Sequence, residues 1–192
     1  GGDSALDWSL MLEKVAKKDN SFIFAKNNLA LAYFCVGKLK QAIEISMEVL
    51  EEEPYNVHAN CNIALFFYEN GDSEACEEAL KTILTLNPED PEDLHKIAVT
   101  LCELKEHDKA NIFMRRLLQY KPYDIKVLHY YAVSCFNLGR YKEALLYWDK
   151  IAKIDPRNSI STFYRRMANN CIKNGVEHDK ELPYHFQVPY DE

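Results

Sequence analysis

Three histidines and two cysteines come closest to chemistry in this chain: His58, Cys61, His95, Cys102 and His129. Imidazole and thiolate are zinc ligands, and a thiol beside an imidazole is the pair from which a cysteine nucleophile is made. The spacing argues against both uses. Only His58 and Cys61 stand one helical turn apart, and no C-x-x-C pair occurs among the six cysteines. A lone Cys–His pair lacks the third group that orients the base. Carboxylates are plentiful, but runs such as Glu51–Glu53 and Glu77–Glu78 belong on solvated helix faces. Neither a Gly-rich phosphate loop nor a nucleophile elbow is present. A metal- or thiol-dependent enzyme is therefore a rival reading. The expectation is a non-catalytic chain without metal or cofactor.

Composition narrows the class further. The net charge of -7 gives no basic footprint for nucleic acid. No apolar run reaches the ~20 residues that a membrane span needs, and no signal-peptide pattern opens the chain. Cys35, Cys61, Cys76, Cys102, Cys135 and Cys171 fall mostly at apolar helical positions, as small buried hydrophobes in a reducing compartment do. The expected setting is cytoplasmic, with no nucleic-acid or membrane partner.

The elements that position these residues follow from a period. Pro54, Pro88, Pro122 and Pro156 stand 34 residues apart, which marks one structural unit copied in tandem. Twelve residues before each proline stand Ala42, Cys76, Ala110 and Ala144; twenty-four before stand Ala30, Ala64, Ala98 and Ala132. These small residues let two helices approach closely. Seventeen before stand Gly37, Gly71, Lys105 and Gly139, where a sharp turn favours positive φ. Each proline stops a helix, and Asn56, Asp90, Asp124 and Asn158 behind it can cap the next one. Lys105 breaks the glycine column, so its turn must close differently or carry strain of about 1 kcal/mol.

A helix, a tight turn, a second helix and a short loop, with this small–Gly–Ala–Pro pattern, resemble the tetratricopeptide repeat. The resemblance implies an all-α, right-handed α-α superhelix, the tetratricopeptide solenoid, of four helix-turn-helix repeats with flanking N- and C-terminal helices. The repeats are expected at 23–56, 57–90, 91–124 and 125–158. Residues 1–22, with Trp8, Met11, Leu12, Val15 and Ala16, read as the second helix of a partial repeat. Residues 159–178 read as a capping helix with Ile160, Phe163, Tyr164, Met167, Ala168, Cys171 and Ile172 on one face.

The first helix of each repeat carries a second stripe, roughly 140° from the one that packs on its partner helix. It holds Phe24, Asn27, Leu31 and Phe34; then His58, Cys61, Leu65 and Tyr68; then Glu92, His95, Val99 and Cys102; then Lys126, His129, Val133 and Phe136. In tetratricopeptide proteins this stripe lines the concave, peptide-binding surface, so the resemblance makes these residues the candidate groove. The aliphatic members can equally pack between repeats. Phe34, Tyr68 and Phe136 are the stronger contact residues, because aromatic groups dominate interface energies. Some family members hold a partner's terminal carboxylate with cationic and amide groups here. Asn62 and Lys96 match that arrangement, but Asn27, Leu31 and Glu92 do not, and Glu92 repels a carboxylate. An amphipathic helix or an extended peptide with apolar anchors fits better.

Residues 179–192 end the helical pattern. Leu182, Tyr184, Phe186, Val188 and Tyr190 alternate, which is the period of an extended chain with one apolar face, and Pro183 and Pro189 forbid a helix. The segment reads either as a linker or as a ribbon docked on the solenoid, its own or that of a second copy, which gives a route to self-association. The expected function is a protein–protein interaction module, a fragment of a larger protein, that binds a peptide or an amphipathic helix. A peptide-sensing regulatory domain is the alternative.

Overall fold

The structure is a computed structural model and describes residues 7–8, 10–12 and 22–185. Among the described residues all regular structure is helical. Residues 7–8 and 10–12 are helical, and nine labelled helices follow: α1 (Ile23–Cys35), α2 (Leu39–Glu52), α3 (Val57–Glu69), α4 (Ser73–Thr85), α5 (Pro91–Glu103), α6 (His107–Tyr120), α7 (Ile125–Asn137), α8 (Tyr141–Ile154) and α9 (Ser159–Asn174). Val15 and Ala16, expected in the first helix, lie outside the described residues. So do Phe186, Val188 and Tyr190 of the tail.

The chain divides into two compact units, residues 1–100 and 101–192, each described by itself. In unit 1, α1 packs on α2 and α3 on α4, and α3 lies against both α1 and α2. Leu29, Ala30, Tyr33, Ala42 and Phe66 form a buried cluster there, with Leu12, Leu31, Phe34 and Ile43 packed around it. In unit 2, α7 packs on α6 and α8, and α9 lies on α8. Trp148, Tyr130, Tyr131, Met114, Leu117 and Leu128 fill its core.

Local chemistry sets the helix limits. The side chains of Asn56, Asp124 and Asn158 accept from the N–H groups of Ala59, Val127 and Ser161 at 2.9, 3.1 and 3.2 Å. Asp90 accepts from Glu92 N–H at 2.9 Å. Each side chain satisfies a donor that the first helical turn leaves unpaired. The α2, α4, α6 and α8 helices end two or three residues ahead of the four prolines.

The four turns between paired helices close alike. The N–H groups of Lys38, Asp72, Glu106 and Arg140 donate to the carbonyls of Tyr33, Phe67, Leu101 and Cys135 at 2.8–3.0 Å. One residue earlier the backbone turns left-handed, at φ 80, 79, 59 and 77° for Gly37, Gly71, Lys105 and Gly139. A Cβ at Gly71 would meet nothing within 4 Å. The backbone angle, rather than space, is therefore what favours glycine. Lys105 keeps the same closure, so of the two expected outcomes the strained one holds.

The α9 helix covers the exposed side of α8 in unit 2. Tyr164 stacks on Trp148 at 5.2 Å between ring centroids, and Arg165 Nε donates to Asp149 at 2.7 Å. Ala168 and Cys171 continue the buried stripe. Gly175, at φ 61°, ends the helix and turns the chain back toward α7.

Candidate peptide-binding site

The sequence stripe divides three ways. Phe24 and Tyr68 stand exposed, at 71% and 42% of their full surface, and His58 is also open in unit 1. Leu31, Phe34, Leu65, His95 and Val99 are half-buried. Asn27, Cys61, Cys102, His129, Val133 and Phe136 are buried. As accessible groove residues these six are corrected by the structure, which buries them.

In unit 1 part of the stripe is the contact between neighbouring first helices. Asn27 donates from Nδ2 to Asn56 Oδ1 at 3.2 Å, and the Phe34 and Phe66 rings lie 5.0 Å apart. The apolar members that stay accessible are Phe24 at the start of α1 and Tyr68 at the end of α3. His58 Nε2 stands 3.6 Å from Asp93, which supplies polar character beside the same helices.

In unit 2 His129 belongs to the core. Trp148 Nε1 donates to His129 Nδ1 at 3.1 Å, and Tyr164 lies edge-on at 4.8 Å. Burial holds its pKa down at about 3, so at neutral pH the ring is an uncharged acceptor. Burial also pushes the Cys102 thiol well up, and the Cys135 thiol up to about 11. That is the wrong direction for a thiolate ligand or nucleophile. Among the described residues no three His, Cys, Asp or Glu side chains are placed to hold a metal ion. None of their helices is long and apolar enough to cross a membrane.

Phe136 is buried among Tyr141, Trp148 and the tail. The His178 ring lies edge-on to Phe136 at 5.2 Å, and the backbone N–H of His178 donates to the Tyr141 hydroxyl at 2.9 Å. Four residues later Asn137 takes both backbone groups of Leu182. Its Oδ1 accepts the Leu182 N–H at 2.8 Å, and its Nδ2 donates to the Leu182 carbonyl at 3.0 Å. Beyond Pro183 the Tyr184 ring enters a slot. It stacks on His107 at 5.7 Å, meets Tyr130 edge-on at 5.9 Å, and its hydroxyl lies 2.8 Å from His107 Nδ1. Burial, followed by the nearby Cys102 and Glu181, pushes the Tyr184 phenol up, so it stays protonated. Glu181 reaches within 3.0 Å of His107 Nε2, and His185 Nδ1 lies 2.9 Å from the Tyr130 hydroxyl. Burial likewise pushes the Tyr130 phenol up, to about 12.

The ribbon reading of the tail therefore holds for Leu182 and Tyr184, both buried, on the chain's own unit 2. Of the residues that receive it, His107, Tyr130, Asn137 and Tyr141 were not in the sequence stripe. A signal for two of them was present. At 34-residue spacing Asn137 follows Cys35, Glu69 and Glu103, and Tyr130 follows Asn28, Asn62 and Lys96. An amide and an aromatic ring depart from their columns in the last repeat alone.

The comparisons agree with this architecture. A family model described as Tetratricopeptide repeat matches residues 57–90. Another, described as Anaphase-promoting complex, cyclosome, subunit 3, matches residues 74–151. A TPR repeat-containing protein, YvcD of Bacillus subtilis (strain 168), is 38% identical over 63 residues. That match spans 33% of this chain and 13% of the relative's length. Among solved structures, YrrB, described as a TPR protein with an unusual peptide-binding site, superposes with a TM-score of 0.62 at 15% identity. The superposition covers 85% of this chain and 84% of YrrB. TTC0263, a thermophilic TPR protein in Thermus thermophilus, gives a TM-score of 0.60 at 18% identity, over 84% and 89% of the two chains. At these identities the likeness to solved structures is one of fold. Together with the repeat columns, the matches show a tetratricopeptide repeat at residues 57–90 and the fold of a tetratricopeptide-repeat solenoid.

Proposed function

We propose that the chain is a non-catalytic protein-interaction module that binds a peptide or an amphipathic helix on the first-helix faces of its repeats. One observation carries this reading. Phe24 and Tyr68 are large aromatic side chains left exposed on α1 and α3, with half-buried Leu31, Phe34 and Leu65 on the same stripe. Large aromatic side chains left exposed along one helix stripe are contact points for a partner to cover. Aromatic anchors set in a partly apolar surface are also where binding energy concentrates. The fold shared with YrrB, a protein described as having a peptide-binding site, supports the same reading. A cytoplasmic partner and a scaffold role belong to this proposal as well.

The test is Phe24→Ala combined with Tyr68→Ala. Both side chains are exposed, so helicity and melting temperature should match the parent chain. Capture of partner proteins from the native cell should fall by about tenfold or more, the effect of losing about 1.4 kcal/mol or more of binding at an aromatic anchor. Recovery of the same proteins in the same yield would remove unit 1 as the binding face.

A further inference from the structure

The way unit 2 holds residues 178–185 has the features of ligand recognition. Asn137 pairs with the N–H and C=O of Leu182 through both atoms of its amide, so it reads backbone and demands an extended strand. The Tyr184 slot reads side chain. His107, at the first turn of α6, offers one ring nitrogen to the Tyr184 hydroxyl and the other to Glu181. Tyr130 forms the slot wall. Pro183 lies between the two anchors. Its fixed φ and its bias on Leu182 toward extended backbone hold Leu-Pro-Tyr in the shape the site takes, and no N–H is lost there.

We propose that the surface formed by His107, Tyr130, Phe136, Asn137 and Tyr141 is a binding site for an extended acidic–Leu–x–Tyr segment of another protein, and that residues 181–184 are its built-in competitor. The contacts are those of a peptide on a receptor. Two hydrogen bonds go to backbone, one acidic group meets an imidazole, and one phenol is enclosed. The Asn137 contacts are part-buried hydrogen bonds, unlike the fully buried Trp148–His129 bond of the core. A partner with the same pattern displaces the tail by competition, and its apparent affinity is lowered by the fraction of chains whose site is filled. This inference rests on reading the chain as an interaction module. It concerns unit 2 alone.

The experiment uses the full chain and a labelled peptide with the sequence of residues 179–185, Asp-Lys-Glu-Leu-Pro-Tyr-His. In the chain carrying Leu182→Ser and Tyr184→Ser, the tail no longer fills the site. Fluorescence anisotropy should show the peptide binding this variant at least about tenfold more tightly than the parent chain. Adding Asn137→Ala should remove most of that binding, and a scrambled peptide should not bind. Equal binding to parent and variant, equal binding of the scrambled peptide, or indifference to Asn137→Ala overturns the proposal. Should the double-serine variant fail to fold, hydrogen exchange on the parent chain decides. Excess peptide should accelerate exchange of the Leu182 amide, and no acceleration overturns the proposal. A dimer with exchanged tails assigns the occupant to a second copy and overturns intramolecular competition. The Phe24 and Tyr68 variants read unit 1. Loss of partners there, with no peptide bound at Asn137, would sink this inference and leave the module reading standing.

Discussion

His129 shows how a residue type that suggests chemistry is converted into structure by burial. Its ring accepts from Trp148 and lies between aromatic faces, where burial disfavours the protonated form. Its folded pKa of about 3 lies below the ordinary 6.5. The unfolded chain therefore binds the extra proton first, and stability is lost as pH falls below 6.5. Each pH unit costs about 1.4 kcal/mol until the folded value is reached. From pH 7 to pH 5 this one residue should remove about 2 kcal/mol. Denaturant melts of the parent and of His129→Gln at both pH values measure it. Glutamine can still accept from Trp148 but does not titrate, so its loss between the two pH values should be smaller. Equal losses would show that His129 is not the source. His129 entered the stripe by helical spacing alone, and spacing cannot tell a groove position from one covered by the next helix. Tyr164, on α9, makes that difference.

At the scale of elements the repeat is a turn with a fixed conformation, and Lys105 is where sequence and conformation disagree. The Glu106–Leu101 hydrogen bond matches those of the three glycine turns, and φ 59° at Lys105 lies in their left-handed region. A residue with Cβ is disfavoured by about 1 kcal/mol there. Lys105→Gly should therefore stabilise the chain by about 1 kcal/mol, raising the melting temperature by roughly 2–4 °C for a chain of this size. Calorimetry would show it, and a lower melting temperature would mean that the lysine side chain makes a compensating contact. The helices were legible because their signals are local. Caps, stops and turn columns act within a few residues, and the side chains of Asn56, Asp124 and Asn158 all perform the capping read from their positions. The groove was less legible. Of its stripe, Asn27 and Phe34 are engaged in contact between repeats, which depends on how neighbouring helices approach.

Across the whole molecule, each unit buries its own core, and unit 2 adds a segment that returns to its surface. Leu182 and Tyr184 are buried there, and Asn137 ties the Leu182 backbone to the end of α7. Replacing both side chains with serine should lower the stability of the chain by about 3 kcal/mol or more, or roughly 6–12 °C, because each loses an apolar contact worth about 1.5–3 kcal/mol when fully buried. Unchanged melting would mean that the segment is seated without contributing to stability. The alternation of Leu182 and Tyr184 made the ribbon legible. Its receptor was not, because Asn137, Tyr130 and His107 are brought together by two helices and a turn.

The sequence by itself determined the period, the helix pairs, their caps and their turns, and with them the repeat architecture. All of these rest on interactions between residues close along the chain, repeated at a fixed spacing. The tertiary structure alone decided which stripe residues remain accessible and what occupies the surface of unit 2. Those outcomes depend on which distant side chains meet, as when residue 137 meets residue 182, and a period of 34 carries no information about a contact made once.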